Sequence, residues 1–391
     1  MTDAAATPLR VVILNWRDLR HPEGGGSERY AQTIAAGLVA RGHEVTFWCA
    51  DHGDAPRDEV VDGVRYVRRG TRATVYPRAL AALVTGHRGR PDVVVDVSNG
   101  VPFFSPLVRR GPVVGVVHHV HREQWPVVMP GPVARAGWFL ESVVAPRVYR
   151  RRPVVAVSWT TRRELVELGY DESVTVVHNG TQGPERAPTH APAAEPTLCV
   201  LGRIVPHKRV DHALETVRRL RHVHPGLRLL VVGTGWDEER VQDRARELGV
   251  ADVVRFTGFV DEDTKHRLLA SSWVHLCPSL KEGWGLAVME AAWHGVPTVA
   301  YHGAGGLSES VVDGRTGTLV DGLDALVAAT DRLLTDHAER ARLAAAARRH
   351  ARDYTWEHTV EAFEQVLRDA VAERSAPEVS AARPGTRQPA S

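Results

Sequence analysis

A glycine-containing junction between a predicted strand and a predicted helix occurs at residues 278–292, PSLKEGWGLAVMEAA. Gly283 and Gly285 have no side chain, so the backbone can approach a bound group closely at these positions. The free N–H groups and the dipole of a helix start favour an anion, such as a diphosphate, in front of them. The junction therefore predicts an anion-binding site, and a charged helix start at the protein surface is the simpler alternative.

Two glutamates stand on either side of this junction. Glu282 precedes the predicted helix and Glu290 lies eight positions later within it. Their separation is about 12 Å if the segment is fully helical. The two carboxylates of a glycosidase lie roughly 5 to 9.5 Å apart across one bond. Glu282 and Glu290 therefore suit the two ends of a long ligand better than a general acid and a general base.

Two cations, Arg203 and Lys208, follow an earlier predicted strand in the segment GRIVPHKRVD. Two fixed cations can neutralise the charge that develops on a diphosphate leaving group. The chain has three lysines, at positions 208, 265 and 281, among its 49 lysines and arginines. Arginine is therefore the general surface cation here, which weakens the alternative that Lys208 is an ordinary solvated charge at a helix start.

The first half of the chain contributes glycines and histidines. The loop HPEGGGSER has three consecutive glycines, which include Gly25 and Gly26. Ordering glycines costs conformational entropy, so three in a row indicate that the backbone must lie close to another group. A flexible surface loop is the alternative. His118 ends a predicted strand and His119 follows directly. With His121 they suggest a metal site, but adjacent side chains point apart and no further Cys or His spacing supports zinc. We expect no metal ion and no cofactor.

The sequence E-G-x-G-L, with a second glutamate eight positions after the first, resembles the hallmark of the retaining glycosyltransferases of family four. That family has the two-domain GT-B architecture. Its first glutamate holds sugar hydroxyls and its second holds the ribose, roles that the resemblance carries to Glu282 and Glu290. The residues between them that the resemblance assigns to the donor site are Gly283, Trp284, Gly285 and Leu286. Trp284 stands where phenylalanine is commoner, which is a mild departure.

Other segments resemble family motifs in the expected order. Arg203 and Lys208 correspond to the family's phosphate ligands. Gly25 and Gly26 match the G-G-x-E loop over the donor phosphates. His118 stands where the family places a histidine over the donor sugar, and because His119 follows directly it stays open which of the two faces that sugar. The catalytic residues that the resemblance implies are His118, Arg203, Lys208 and Glu282.

Two more motifs lie in the second half. FTGFV, with Gly258, Phe259 and Val260, resembles the loop whose backbone meets the nucleotide base. HGAGGLSES, with its glycine pair and Glu309, resembles the G-G-x-x-E region, although a tight turn and a helix cap explain it nearly as well.

The resemblance implies a retaining transfer of a hexose from a nucleoside-diphosphate sugar, a co-substrate, to a hydroxyl acceptor. The acceptor hydroxyl enters on the face from which the diphosphate leaves, and a departing phosphate oxygen takes the proton. The enzyme then acts electrostatically, and no divalent ion is required. Donor nucleotide, sugar and acceptor stay open; a cell-envelope glycan, a glycolipid or a natural product would each serve as acceptor.

The elements that position these residues follow an α/β pattern. Short β-branched runs alternate with segments of helical period, which is typical of parallel sheets covered by helices. Strands are predicted at 9–15, 45–49, 93–97, 113–117, 154–157 and 174–177, and then at 198–201, 227–232, 253–257, 273–277, 298–301 and 318–320. A helix is predicted at about 28–41.

The predicted fold is α/β with GT-B architecture: two Rossmann-like, doubly wound parallel-sheet domains that face a central cleft. Residues 1–180 form the acceptor-side domain, 181–196 a linker, and 197–353 the domain that binds the donor nucleotide sugar. The segment at 354–374 resembles the helix by which such proteins cross back to the first domain. Residues 375–391 are rich in Pro, Ala and Ser and are predicted to be disordered.

Composition is consistent with two domains. A chain of 391 residues exceeds what one hydrophobic core usually supports. Apolar runs reach only about 6 to 8 residues against the roughly 18 that span a bilayer, and the start lacks the pattern of a signal peptide, so we expect a cytoplasmic protein. Cys49, Cys199 and Cys277 are expected to be buried, reduced thiols. No nucleic-acid partner is expected.

A positive excess marks residues 65–152, which contain 15 arginines against four acidic residues. Within it, GPVARAGWFLESVVAPRVYRRR mixes Trp138 and Phe139 with several arginines. A basic segment with an apolar face can lie on an anionic membrane, which predicts peripheral contact of the first domain with the inner membrane face. Two alternatives stay open: an ordinary helix that faces its own core, and a phosphorylated soluble acceptor.

Three other functions compete with glycosyl transfer. Gly233 and Gly235 between a predicted strand and helix suggest a nicotinamide-dependent oxidoreductase, but the third glycine of that fingerprint is missing. A nonhydrolysing nucleotide-sugar epimerase shares the architecture. A nucleotide-sugar-binding protein without turnover would keep the binding residues, and fold alone does not separate it from an enzyme.

Overall fold

The structure, a computed structural model, describes residues 7–86, 89–183 and 192–375. These residues form two α/β domains, each built on one sheet. The predicted α/β class is therefore confirmed. The predicted tail lies outside the described residues except for Ser375, as does most of the predicted linker, at 184–191.

The first domain contains an eight-stranded sheet. Its strands are β1 (Arg10–Leu14), β2 (Glu44–Cys49), β3 (Asp58–Val61), β4 (Val64–Arg68), β5 (Val93–Ser98), β6 (Val113–Val117), β7 (Val154–Ala156) and β8 (Thr175–Val176). They lie in the order β3-β4-β2-β1-β5-β6-β7-β8, and the hydrogen-bonded neighbours are parallel except β3 and β4. Its helices are α1 (Gly26–Ala40), α2 (Val75–Thr85), α3 (Trp125–Val128), α4 (Gly131–Phe139), α5 (Ala145–Tyr149) and α6 (Trp159–Glu167).

The second domain contains a parallel six-stranded sheet. Its strands are β9 (Thr197–Leu201), β10 (Arg228–Val232), β11 (Val254–Gly258), β12 (Val274–Cys277), β13 (Thr298–Tyr301) and β14 (Gly317–Val320). They lie in the order β11-β10-β9-β12-β13-β14. The helices are α7 (Val210–Leu220), α8 (Glu238–Glu247), α9 (Glu262–Ser271), α10 (Leu286–Trp293), α11 (Leu307–Ser310), α12 (Gly322–Thr335), α13 (His337–Arg352) and α14 (Trp356–Ser375).

Apolar side chains cover both faces of the central strands. In β5, Val93, Val95 and Val97 enter one hydrophobic cluster, whereas Val94 enters another. This two-sided burial explains why the strand is a continuous valine run rather than an alternating one. The predicted strands are all present, and none of their ends is shifted by more than one residue.

The hairpin β3–β4 was not predicted. Its two strands are joined by Asp62 and Gly63, whose φ values of 50° and 76° are both left-handed. Such a pair is typical of the type I′ turn that connects adjacent antiparallel strands. The Asp-Gly pair between valines was the available signal, but the acidic edge strand β3 obscured the apolar pattern.

Helix α14 returns to the first domain and packs along α1. The rings of Phe363 and Tyr30 lie 6.2 Å apart, and a Cβ atom at Gly37 would lie 2.5 Å from a methyl carbon of Val360. The Glu364 carboxylate pairs with Arg41 and with other basic groups of the same surface. The C-terminal helix is therefore part of the first domain's packing.

Replacing Phe363 by alanine should reduce stability. Its side chain is fully buried between α14 and α1, and removal of a buried phenylalanine costs about 3 to 5 kcal/mol. We expect a lower urea midpoint for the Phe363→Ala variant by far-UV circular dichroism. The exposed Gln365 on the same helix supplies the control variant Gln365→Ala, and equal midpoints for the two would contradict this packing.

Candidate functional site

The loops that follow the parallel strands of both sheets meet at a cleft, the region where α/β sheets commonly bind ligands. His118 follows β6, and Gly283 precedes α10. A Cβ atom at Gly283 would lie 2.3 Å from the carbonyl oxygen of His118. Only glycine permits this approach, so the predicted anion-binding junction directly faces the first domain.

Glu282 is held from behind by the loop at residues 304–306. Its N–H donates to the carbonyl of Ala304 at 3.1 Å, and its own carbonyl accepts from the N–H of Gly306 at 2.9 Å. A Cβ atom at Gly305 would lie 2.3 Å from the Glu282 oxygen, and one at Gly306 would lie 2.0 Å from the Gly283 oxygen. The glycine pair therefore lets this loop pack against the backbone that carries Glu282.

Lys208 and Glu282 form an ion pair in the cleft wall. Nζ of Lys208 lies 2.5 Å from Oε1 of Glu282, and both side chains are largely buried. Burial alone would raise the pKa of Glu282, but Lys208 overcomes that effect and the pKa falls below its ordinary value. The carboxylate therefore stays ionised and can accept hydrogen bonds from hydroxyl groups.

Arg203 reaches from the second domain to the glycine loop of the first. A Cβ atom at Gly25 would lie 3.0 Å from Nε of Arg203. The guanidinium interacts electrostatically with the buried carboxylate of Glu28, which accepts from Gly25 N at 2.8 Å and pairs with Arg17 at 3.0 Å. A Cβ atom at the neighbouring Gly26 would lie 3.2 Å from Leu286 at the start of α10. The two glycines thus lie against second-domain residues.

His118 and His119 have different surroundings. The His118 ring meets Tyr30 edge-on at 5.2 Å, and its buried Nε2 has no hydrogen-bond partner among the described residues. Burial lowers the pKa of His118 to about 4, so its ring is neutral near pH 7. His119 instead shares a hydrogen bond of 3.1 Å with the Gln124 side chain. The unpartnered nitrogen of His118 makes it the better candidate to meet a ligand.

Glu290 is paired rather than free. Nζ of Lys265 lies 2.5 Å from the Glu290 carboxylate and 2.8 Å from Glu262. Glu262 in turn pairs at 2.7 Å with Arg29 of the first domain. A chain of alternating charges therefore joins helix α10 to helix α1 at one side of the cleft.

The three lysines of the chain share a property that the sequence did not predict. Each pairs with a glutamate: Lys208 with Glu282, Lys265 with Glu290, and Lys281 with Glu164. The rarity of lysine was the available signal for Lys265 and Lys281, and it applied to them equally.

The other residues predicted to bind the donor have contrasting environments. Gly258 ends β11 with a φ of 70°, and the Phe259 side chain after it is 88% exposed. Val260 is partly buried against a small apolar cluster of the second domain. The loop therefore exposes the aromatic side chain of Phe259 beside the left-handed backbone of Gly258.

Trp284 is buried. Its ring lies 4.4 Å from that of His178 and 4.9 Å from that of Tyr354, within the apolar cluster shared by the two domains. The neighbouring Gly285 has a φ of 96° and caps the start of α10. The indole thus packs in the core beneath the junction, on the side away from the cleft-facing Gly283.

Glu309, the last residue of the G-G-x-x-E region, connects the domains. Its carboxylate accepts from the backbone N–H groups of Trp159 at 2.9 Å and Thr160 at 2.8 Å, which begin helix α6. Nε2 of His178 lies 3.2 Å away. A second-domain carboxylate therefore caps a first-domain helix, where negative charge is favourable.

Comparison with known proteins places the chain among characterised families. Residues 24–182 match the family described as Glycosyltransferase Family 4, and residues 182–350 match Glycosyl transferases group 1. A D-inositol 3-phosphate glycosyltransferase of Acidothermus cellulolyticus is 34% identical over 94% of this chain and 92% of its own length. The chain belongs to the family-four glycosyltransferases. The predicted family is thereby confirmed, whereas the retaining mechanism and the roles of the motif residues stay predictions.

Other relatives of this glycosyltransferase agree in architecture. A GDP-mannose-dependent alpha-(1-6)-phosphatidylinositol monomannoside mannosyltransferase of Mycolicibacterium smegmatis is 29% identical over 85% of this chain and 91% of its own. The sucrose-phosphate synthase structure from Thermosynechococcus elongatus superposes with a TM-score of 0.80 at 20% identity, over 93% of this chain and 99% of that one. The predicted GT-B fold is confirmed.

Two further observations concern membrane-spanning helices and metal sites. Among the described residues, no helix combines the length and apolar character needed to span a bilayer. The same residues contain no group of three or more His, Cys, Asp or Glu side chains arranged to hold a metal ion.

Replacing Glu309 by glutamine should weaken the domain contact. Burial alone would raise the pKa of Glu309, but His178 and the helix N–H groups lower it overall. Because the folded pKa is depressed, its stabilisation is present above the unfolded pKa of about 4.3 and is lost as the pH falls through the folded value. At pH 7 we expect a cost of about 1 to 2 kcal/mol in urea unfolding.

The control for this prediction is Glu172→Gln, because Glu172 is 80% exposed and pairs with Arg162 at 3.2 Å. It should change stability by less than about 0.5 kcal/mol. The difference between wild type and Glu309→Gln should shrink below pH 4. A difference that is absent at pH 7 would contradict the capping role.

Proposed function

We propose that this glycosyltransferase moves a hexosyl group from a nucleoside-diphosphate sugar to an acceptor hydroxyl, with retention of configuration and without a divalent metal ion. The acceptor oxygen forms its bond to the anomeric carbon as the bond to the diphosphate oxygen breaks. The acceptor's proton passes to the departing phosphate. Two comparisons support a nucleotide-sugar donor: a relative from Mycolicibacterium smegmatis is named as GDP-mannose-dependent, and an Anabaena protein of similar fold was solved in complex with UDP-glucose.

The observation that carries this proposal is the convergence of two cations beside one cavity. Arg203 and Lys208 both follow β9, and they line a narrow cavity together with Gly202, Cys277 and Ser279. Helix α10 begins four residues after Glu282, the partner of Lys208, and the free N–H groups at its start favour an anion. Cations and helix dipole would stabilise the negative charge that develops on the leaving diphosphate.

The neighbouring residues have roles that fit the same ligand. Glu282 is ionised beside Lys208 and would accept hydrogen bonds from sugar hydroxyls. The neutral His118 would meet the sugar from the first domain. Glu290 would bind the ribose diol in competition with Lys265, and the exposed Phe259 would lie beside the base.

Catalysis in this scheme requires no metal ion. The charge on the leaving group is met by Arg203, Lys208 and the helix start, which together replace the role of a divalent cation. Two residues of the acidic segment Asp261-Glu262-Asp263 have partners within the protein. The Asp261 side chain caps helix α9, and Glu262 pairs with Lys265 and Arg29.

Two alternative functions on the same fold can be distinguished by their products. A nucleotide-sugar epimerase would convert the donor without an acceptor, and a binding protein would show affinity without release of nucleoside diphosphate. The names of the relatives, which are glycosyltransferases, favour transfer.

Replacing either cation should impair donor use. Release of nucleoside diphosphate from a panel of UDP- and GDP-hexoses, measured in excess EDTA, should proceed in wild type. Arg203→Ala and Lys208→Ala should each lose about 2 to 4 kcal/mol of transition-state stabilisation.

The control for the cation variants is Arg246→Ala, because Arg246 is 62% exposed on helix α8. Wild-type turnover in both folded cation variants would refute the assignment. Activity that EDTA abolishes and manganese or magnesium restores would refute metal independence.

The acceptor is proposed to be anionic and presented at a membrane. Exposed apolar side chains cluster in the chain around helix α4 and include Val127, Val133 and Phe139. Arg150 and Arg151 are exposed at the end of the same helical segment. An apolar face with a basic rim fits an anionic membrane surface, where each cation contributes about 1 kcal/mol.

Sedimentation with liposomes at physiological salt tests this proposal. Wild type should bind vesicles that contain anionic lipid more tightly than neutral ones, and the Arg150→Gln, Arg151→Gln double variant should lose that preference. The matched control removes two exposed arginines of the second domain, Arg244→Gln with Arg246→Gln. Equal binding to both vesicle types would leave a phosphorylated soluble acceptor as the better account.

A further inference from the structure

A π-helical turn interrupts the helical segment between α4 and α5. It spans Leu140–Val144, and its residue Glu141 is buried, with 6% of its surface exposed. Single π-turns within α-helices occur frequently at functional sites, because they redirect a side chain. This turn places a carboxylate inside the first domain.

Glu141 binds one loop, the segment HHVHREQW that follows β6. One carboxylate oxygen accepts from the backbone N–H of His121 at 3.0 Å and lies 2.9 Å from Nδ1 of the same residue. The other oxygen accepts from Nε1 of Trp125 at 2.6 Å. Burial of a carboxylate is costly unless its hydrogen bonds are satisfied, and here all of these bonds serve to fix the loop that carries His118.

The contact with Glu141 determines which nitrogen of His121 is protonated. A carboxylate only accepts hydrogen bonds, so Nδ1 of His121 donates to Glu141, and the neutral tautomer that this contact selects has its lone pair on Nε2. The His121 side chain is 16% exposed. Within the described ranges no residue forms a hydrogen bond with its Nε2, and that atom is not among the buried unpaired ones. An oriented acceptor nitrogen is thus left open.

His121 lies at the cleft. Its ring is 4.0 Å from that of His119, and it interacts electrostatically with His118 and with His207, the residue before Lys208. Helix α3, which begins four residues after His121, packs against the turn at Pro206–Lys208 in the second domain. The open nitrogen therefore lies on the first-domain side of the proposed reaction site.

We propose that His121 binds the acceptor: its Nε2 accepts a hydrogen bond from an acceptor hydroxyl, and Glu141 is the positioning residue that holds the ring in the required tautomer. The inference rests on the proposed transfer reaction. His121 takes no proton in it, because the departing phosphate accepts the proton of the attacking hydroxyl. The donor, held by Arg203 and Lys208, does not need this contact.

The experiment separates donor use from acceptor use. His121→Asn keeps an amide N–H near Glu141 but removes Nε2, and Glu141→Gln keeps the volume but removes the charge that orients the ring. Release of nucleoside diphosphate without acceptor is measured first. Transfer is then measured to D-inositol 3-phosphate, or to glycerol at molar concentration, as the ratio of glycosylated product to free hexose.

We expect His121→Asn to reduce that ratio about tenfold, the loss of one neutral hydrogen bond, while acceptor-free release stays within twofold of wild type. Glu141→Gln should raise the acceptor KM more than it lowers kcat. The matched control is His222→Asn, because His222 is exposed on the second domain.

Each outcome has one meaning. An unchanged ratio in His121→Asn, or an equal loss of release and transfer, would overturn the acceptor role of His121. A wild-type protein that releases no nucleoside diphosphate from any donor would instead count against the proposed function.

Discussion

The geometry of the cleft depends on one apolar cluster that both domains share. It runs from the first-domain strands through Trp284 and Met289 to Phe363 of the returning helix. Because protein interiors are close-packed, the two sheets cannot shift relative to each other there without opening voids. The cluster therefore keeps Gly283 against the carbonyl of His118, and the opposing loops meet as a result.

Charges in the cleft are balanced within the protein. Lys208 is paired with Glu282 and Lys265 with Glu290, and Arg203 lies close to the buried Glu28. A cation held by a carboxylate is already oriented, so it loses little conformational freedom when an anion approaches. In the proposed function, the members of these pairs would loosen their contacts with each other as they bind the diphosphate and the sugar.

The acidic residues that join the domains act through helix ends and neighbouring cations. Glu309 caps helix α6 of the opposite domain, and Glu262 pairs with Arg29 across the cleft. Both contacts lie outside the apolar cluster and are polar, so they can break at a smaller cost than the packed core. The structure thus combines a rigid joint with polar contacts at its margins.

Much of this protein was determined by local sequence alone. Short β-branched runs that alternate with segments of helical period predicted every strand of the two sheets other than β3 and β4 to within one residue at each end, since side-chain periodicity reflects burial directly. The junction around Glu282 and the cations Arg203 and Lys208 could also be chosen as candidates from the sequence, because a glycine turn before a helix and rare lysines are local signals. The hairpin β3–β4 was missed because its edge strand is acidic.

Only the tertiary structure decided which groups meet. No sequence spacing relates Lys265 to Glu290, Glu309 to the start of α6, or Glu141 to His121, because each pair is brought together by elements that pack from different parts of the chain. The same reason applies to Trp284. The motif placed this residue in the donor site, but packing places its ring in the core. Sequence determined the elements and the chemistry of single residues; packing determined their partners, because partners depend on distances that only the folded core sets.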